Sequence, residues 1–129
     1  MLVPQRLESG KRLADDDALN GILATPQWQT TTGIVALAGG GRPGAPVLNL
    51  GSNEVVTVAS GADSVVLPSA VPGSVVFVTN AGASSLQVFA NGSDTINGTA
   101  GATGVAQGNG LSALYIASDV AQWYRILSA

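Results

Sequence analysis

From Val47 onward the chain is written in short apolar runs broken by clusters of Gly, Asn, Ser and Asp. "VLNL", "EVVTVA", "SVVLP", "SVVFVTN", "SLQVFA", a short "TING", "LSALYIAS" and "QWYRIL" follow one another. Between them lie "SGAD", "SAVPG", "NAGAS", "ANGSD", "QGNG" and "SDVA". Such runs, rich in Val and separated by turn formers, predict the strands of an all-β sandwich or barrel. Asn91-Gly92, Asn97-Gly98 and Asn109-Gly110 fall where tight turns are required, because both residue types tolerate positive φ.

Two runs carry more information than the rest. "SVVFVTN" is apolar on both faces, with Val75 and Phe77 pointing one way and Val76 and Val78 the other. A sheet with one face in water alternates apolar and polar. This strand is therefore expected to be covered on both sides, inside a closed structure or against another subunit. "QWYRIL" is mixed, and places Trp123 and Tyr124 on opposite faces. One ring belongs to the core and the other is a candidate for a subunit or partner contact.

The chain changes character near Gly39. Ahead of it lie Arg6, Glu8, Lys11, Arg12, Asp15, Asp16 and Asp17. "MLVPQRLESGKR" reads as an extended arm. "DDDALNGILATP" predicts one or two helical turns: the acidic run suits a helix N-terminus, Leu19, Ile22 and Leu23 share a face, and Pro26 ends it. Ile34 to Ala38 suggests a first strand. The Gly39-Gly40-Gly41 run is a loop rather than a phosphate cradle, because Arg42-Pro43 follows and no helix can begin there. The expected organisation is an N-terminal arm with a short helix over 1–33 and a β domain over 34–129.

Only 10% of the residues are charged, against about 25% in an ordinary soluble domain. This implies a surface rich in Ser, Thr and Asn, and apolar surface covered by other chains. The net charge is −3, and no Lys or Arg occurs between Ala45 and Tyr124. That stretch would repel phosphates, so no nucleic-acid partner is expected. No run approaches the ~18 apolar residues of a spanning helix. The N-terminus carries charge where a secretion signal needs its apolar segment. The expectation is a protein made in the cytoplasm with no membrane partner.

The chain has no cysteine and no histidine, and its one lysine is Lys11. The usual general base, thiol nucleophile and commonest metal ligands are missing. Glu54, Asp63, Asp94 and Asp119 remain as candidates for paired-carboxylate hydrolysis. Asp63, Asp94 and Asp119 sit in turn segments, where capping the local backbone is the favoured reading. No catalytic residue, metal or cofactor is expected. A glycan-binding face would draw on Trp28, Trp123 or Tyr124 beside Asp94 and Asn97.

"VPGSVVFVTNAGASSLQVFANGSDTING", followed by "LSALYIASDVAQWYRI", resembles small virion domains of tailed bacteriophages, the capsid decoration or cement proteins. The resemblance runs from about Leu19 to Ile126 and is strongest from Leu67 to Gly98. "ALNGIL" and "GIVALAGGG" resemble the way some of those chains begin. The resemblance implies a jelly-roll-like β-sandwich or barrel. It implies a homotrimer on the capsid exterior that clamps neighbouring major capsid protein subunits, often through terminal arms, without chemistry. The same module occurs in phage fibre and tail-associated proteins, so a head-binding or tip module of a tail fibre is the alternative. On this reading Arg6, Lys11, Arg12 and Arg42 are candidates for capsid contact. Val76, Val78, Trp123 and Tyr124 are candidates for the subunit interface.

Overall fold

The computed structural model describes residues 29–128. Among them the regular elements are strands, in chain order β1 (Thr30–Val35), β2 (Gly51–Thr57), β3 (Ser64–Val66), β4 (Val75–Asn80), β5 (Leu86–Phe89), β6 (Thr95–Ile96), β7 (Thr99–Ala100), β8 (Val105–Gln107), β9 (Ser112–Asp119) and β10 (Gln122–Leu127). The expected all-β class is therefore what these residues form. No helix among them is long and apolar enough to cross a membrane. The expected arm and short helix lie outside the described residues, apart from the stretch at Thr30 where β1 begins, ahead of the expected Ile34.

The strands form a larger sheet in the order β1-β2-β4-β9-β10-β6-β7 and a smaller one in the order β3-β5-β8. The connectivity is not that of a jelly roll, whose sheets are antiparallel. β1 pairs parallel with β2, β2 parallel with β4, and β3 parallel with β5. A parallel pair needs a crossover between its strands. Here β3, a strand of the other sheet, makes the crossover from β2 to β4. The chain thus winds as a short β-solenoid. Gly51 pairs with Val76, 25 residues on, and Ser64 with Gln87, 23 residues on. The coil before these is looser: between β1 and β2 the chain touches the smaller sheet only through the Leu37–Ser64 and Val47–Val66 bridges.

After β5 the winding stops and the chain turns back. β8 runs antiparallel to β5, β9 antiparallel to β4, and β10 antiparallel to β9. The predicted Asn97-Gly98 turn joins β6 to β7, with both residues at positive φ (50° and 82°). That is the requirement of a two-residue hairpin whose twist matches its strands. β7 and β8 arise from the small-residue stretch between "TING" and "LSALYIAS", for which no strand was expected.

The core lies between the two sheets. Strand alternation sends Val55, Val76, Val78, Tyr115 and Trp123 inward from the larger sheet. Val65, Leu86 and Val88 meet them from the smaller one. Ala117 pairs directly with Trp123, so a small side chain leaves room for the largest in the chain. A second cluster of Ala45, Val66 and Phe89, with Leu37 packed on it, covers the outer face of the smaller sheet. This is why all of "SVV" in β3 is buried. The loop that supplies Leu37 and Ala45 contains the glycine run. Gly40 has φ +81°, and a Cβ there would stand 2.2 Å from the Ala62 carbonyl oxygen.

Candidate functional site

The polar side chains inside the domain are spent on its own backbone. Asn53, Asp63, Asn80 and Gln107 are buried. Asn53 accepts from the Asn49 amide (3.1 Å) and donates to the Asn49 carbonyl (2.9 Å), fixing the entry to β2. Asn80 donates to the Ser84 and Gln107 carbonyls (both 2.9 Å) and accepts from the Gly82 amide (3.0 Å), turning the corner after β4. Gln107 donates to the Val78 and Leu111 carbonyls (2.9 and 3.0 Å). Its Oε1 accepts from the Tyr115 hydroxyl (3.1 Å). Burial pushes the Tyr115 phenol up to about 12, with the Arg125 charge opposing. Such full pairing is what buried polar groups require. The exception is the buried indole Nε1 of Trp123, which has no partner.

The acidic residues behave likewise. Asp63 accepts from the Ser60 hydroxyl (2.8 Å), the Ala59 amide (2.8 Å), the Ser60 amide (3.3 Å) and the Gly39 amide (3.3 Å). The Ser60 hydroxyl, then the Ala59 amide, holds its carboxyl below the ordinary 3.8, against a smaller opposing effect of burial. Asp94 accepts from the Ala70 amide (2.8 Å), and Asp119 from the adjacent Val120 amide (2.7 Å). Each sits at a turn, as expected for capping. Glu54 stands on β2, with its neighbours in register on β4. Among the described residues no group of three or more His, Cys, Asp or Glu is placed to hold a metal ion.

The structure divides the residues singled out in the sequence. Val76, Val78 and Trp123 are fully buried within the single chain, so they have no surface to offer a neighbouring subunit. Trp123 is likewise withdrawn from any glycan-stacking role. Tyr124 is half exposed, on the opposite face of β10 from Trp123, which is the division "QWYRIL" predicted. Arg42 donates to the Gly92 and Ala90 carbonyls, so its guanidinium ties two loops together. Arg125 similarly donates to the Ala106 carbonyl (2.7 Å). Arg6, Lys11, Arg12 and Trp28 lie outside the described residues.

What the larger sheet leaves uncovered is the outer face of β4, β9 and β10. In register across these strands stand Val75, Ile116 and Tyr124, and in the next row Phe77, Leu114 and Ile126. All six are apolar. Tyr124 and Ile126 are 50% and 63% exposed, and the other four are partly buried. Ser52 of β2 continues the Phe77 row. The row beyond is wholly polar: Glu54, Thr79 and Ser112 in register, with Thr79 and Ser112 hydroxyls 3.1 Å apart. The apolar face thus ends at a sharp polar border. Sequence reasoning found the two-faced character of "SVVFVTN" but chose the wrong face of it for the surface. The direction of each side chain depends on which sheet face meets the second sheet, and one strand's pattern does not say.

Comparison with models of known protein families, with curated proteins and with solved structures found no match for this chain. What the fold and this face define is a short, all-β solenoid with a bare apolar strip on its larger sheet.

Proposed function

We propose that this chain is a structural protein of a virion, a capsid decoration or cement protein that binds the outer capsid surface as a homotrimer and clamps neighbouring capsid subunits. The resemblance of "VPGSVVFVTNAGASSLQVFANGSDTING" and "LSALYIASDVAQWYRI" to phage virion domains supports the placement. One observation carries the mode of action: the described polar side chains are committed to holding turns, while six apolar side chains in register face outward. Such a surface is suited to adhesion rather than to chemistry. On this reading the protein is not an enzyme and needs no cofactor.

The alternative, a head-binding or tip module of a tail fibre, gains from the parallel coils. An architecture that stacks rungs along an axis also suits an elongated assembly.

Copy number in purified particles, measured by quantitative mass spectrometry against the major capsid protein, separates these readings. Hundreds of copies in a simple ratio to the capsid protein are expected. A handful would move the chain to the tail. Absence from particles would overturn the virion reading.

A further inference from the structure

We infer that the apolar strip on β4, β9 and β10 is where copies of this chain meet, strip against strip. The inference deepens the structural reading above and rests on it for the idea of self-assembly. The face itself comes from the structure.

The strip has the composition of an interface centre. Its two rows, Val75–Ile116–Tyr124 and Phe77–Leu114–Ile126, contain no charged or hydrogen-bonding group except the Tyr124 hydroxyl. The Glu54, Thr79 and Ser112 row supplies a polar margin. Apolar centre and polar rim are the anatomy of protein–protein contacts. Adjacent strands lie about 4.8 Å apart and alternate residues about 6.8 Å apart, so the strip with its side-chain margins covers roughly 200 Å² of flat sheet. A standard interface takes about 800 Å² from each partner. The strip is thus the centre of a contact rather than the whole of one, and the rest comes from its margins.

The lack of charge selects the occupant. The chain carries a net −3, and an identical copy would be repelled by most charged surfaces of it. The strip is the surface where that repulsion is absent, with Glu54 only on the border row. A partner chosen by charge would find nothing here to recognise. A second strip offers the matching flat apolar rows, and two sheets packed face to face interdigitate at a separation of about 10 Å.

The test uses the full chain in solution. Light scattering is expected to give a mass above the 12.8 kDa of one chain, falling on dilution. Ile126→Lys is expected to return it to the single-chain mass. The substituted side chain is 63% exposed, so folding is not at stake, and far-UV circular dichroism checks this. Val47→Lys, at an exposed position away from the strip strands, is expected to leave the assembly intact. A single-chain mass for the unaltered protein would overturn the inference and leave residues 1–28 or another protein as the occupant. So would an assembly that survives Ile126→Lys. Solution mass reads only the strip, while copy number in particles reads only the virion placement, so either can fail without the other.

Discussion

Removing one hydroxyl from the core tests the claim that the buried polar groups hold the solenoid's return strands in place. In Tyr115→Phe the ring stays and no cavity forms. What is lost is the donor 3.1 Å from Gln107 Oε1. Both residues are fully buried, so water cannot replace it. An orphaned buried acceptor costs about 1–3 kcal/mol. For a chain of this size each kcal/mol lowers Tm by roughly 3–6 °C. Tyr115→Phe should therefore unfold about 5–15 °C early, with a lower urea midpoint and an unchanged slope. The decisive comparison is the same change in a Gln107→Leu background. There the hydroxyl is itself without an acceptor, so Tyr115→Phe should be neutral or stabilising. An equal cost in both backgrounds would refute the pairing. The phenol also sets an alkaline limit. Its folded pKa of about 12 lies above the ordinary 10.0. Between these values the unfolded chain releases a proton that the folded chain keeps, so stability falls as pH rises through that window, by roughly 2–3 kcal/mol in all. Tyr115→Phe should abolish that decline, along with the tyrosinate absorbance step near pH 12.

Other perturbations probe separate parts of the fold. Asp63 has its carboxyl held below 3.8, so its stabilisation is complete above the ordinary value and is lost as pH falls through the folded one; Asp63→Asn should lower the urea midpoint at pH 7 by an amount that shrinks below pH ~4, and a constant difference would count against this. Gly40→Ala meets both a positive φ and the Ala62 carbonyl, and should cost at least about 1–3 kcal/mol in chemical denaturation; a neutral outcome would mean the loop packs differently. Trp123→Phe gives up contacts but also removes an unpartnered N–H. It should cost well under the ~3–5 kcal/mol of Trp123→Ala, and equal losses for the two variants would show that the indole N–H is satisfied.

Much of this architecture can be read from local chemistry. Asn97-Gly98 demands a two-residue turn and makes one. Asp63, Asp94 and Asp119 fall where short carboxylates satisfy nearby amides, and they do so. Trp123 and Tyr124 part to opposite faces because neighbours in a strand must. Strand direction is different: "EVVTVA" and "SVVFVTN" bury the same side chains whether they run parallel or antiparallel. The coil left one trace, the similar turns "ASGADS" and "NAGASS", each between a larger-sheet strand and a smaller-sheet one. A search for repeats of 20–50 residues is the procedure that detects such a spacing. β7 and β8 left no trace, since Thr99–Ala100 and Val105–Gln107 are too short to show a period.

The switch from parallel winding to antiparallel return also separates length from ending. β2 with β3, and β4 with β5, are successive turns of one spring, while β9 and β10 act as its stopper on β4. A further turn inserted between β3 and β4 would present the same pairing edges to the stopper that β4 and β5 present now. Each such addition would lengthen the body by one strand spacing, about 4.8 Å, and leave the strip-bearing end unchanged. Relatives of this chain can therefore differ by whole multiples of some 23–25 residues and still share an identical closing segment, which makes body length a property free to vary independently of what the closed end binds.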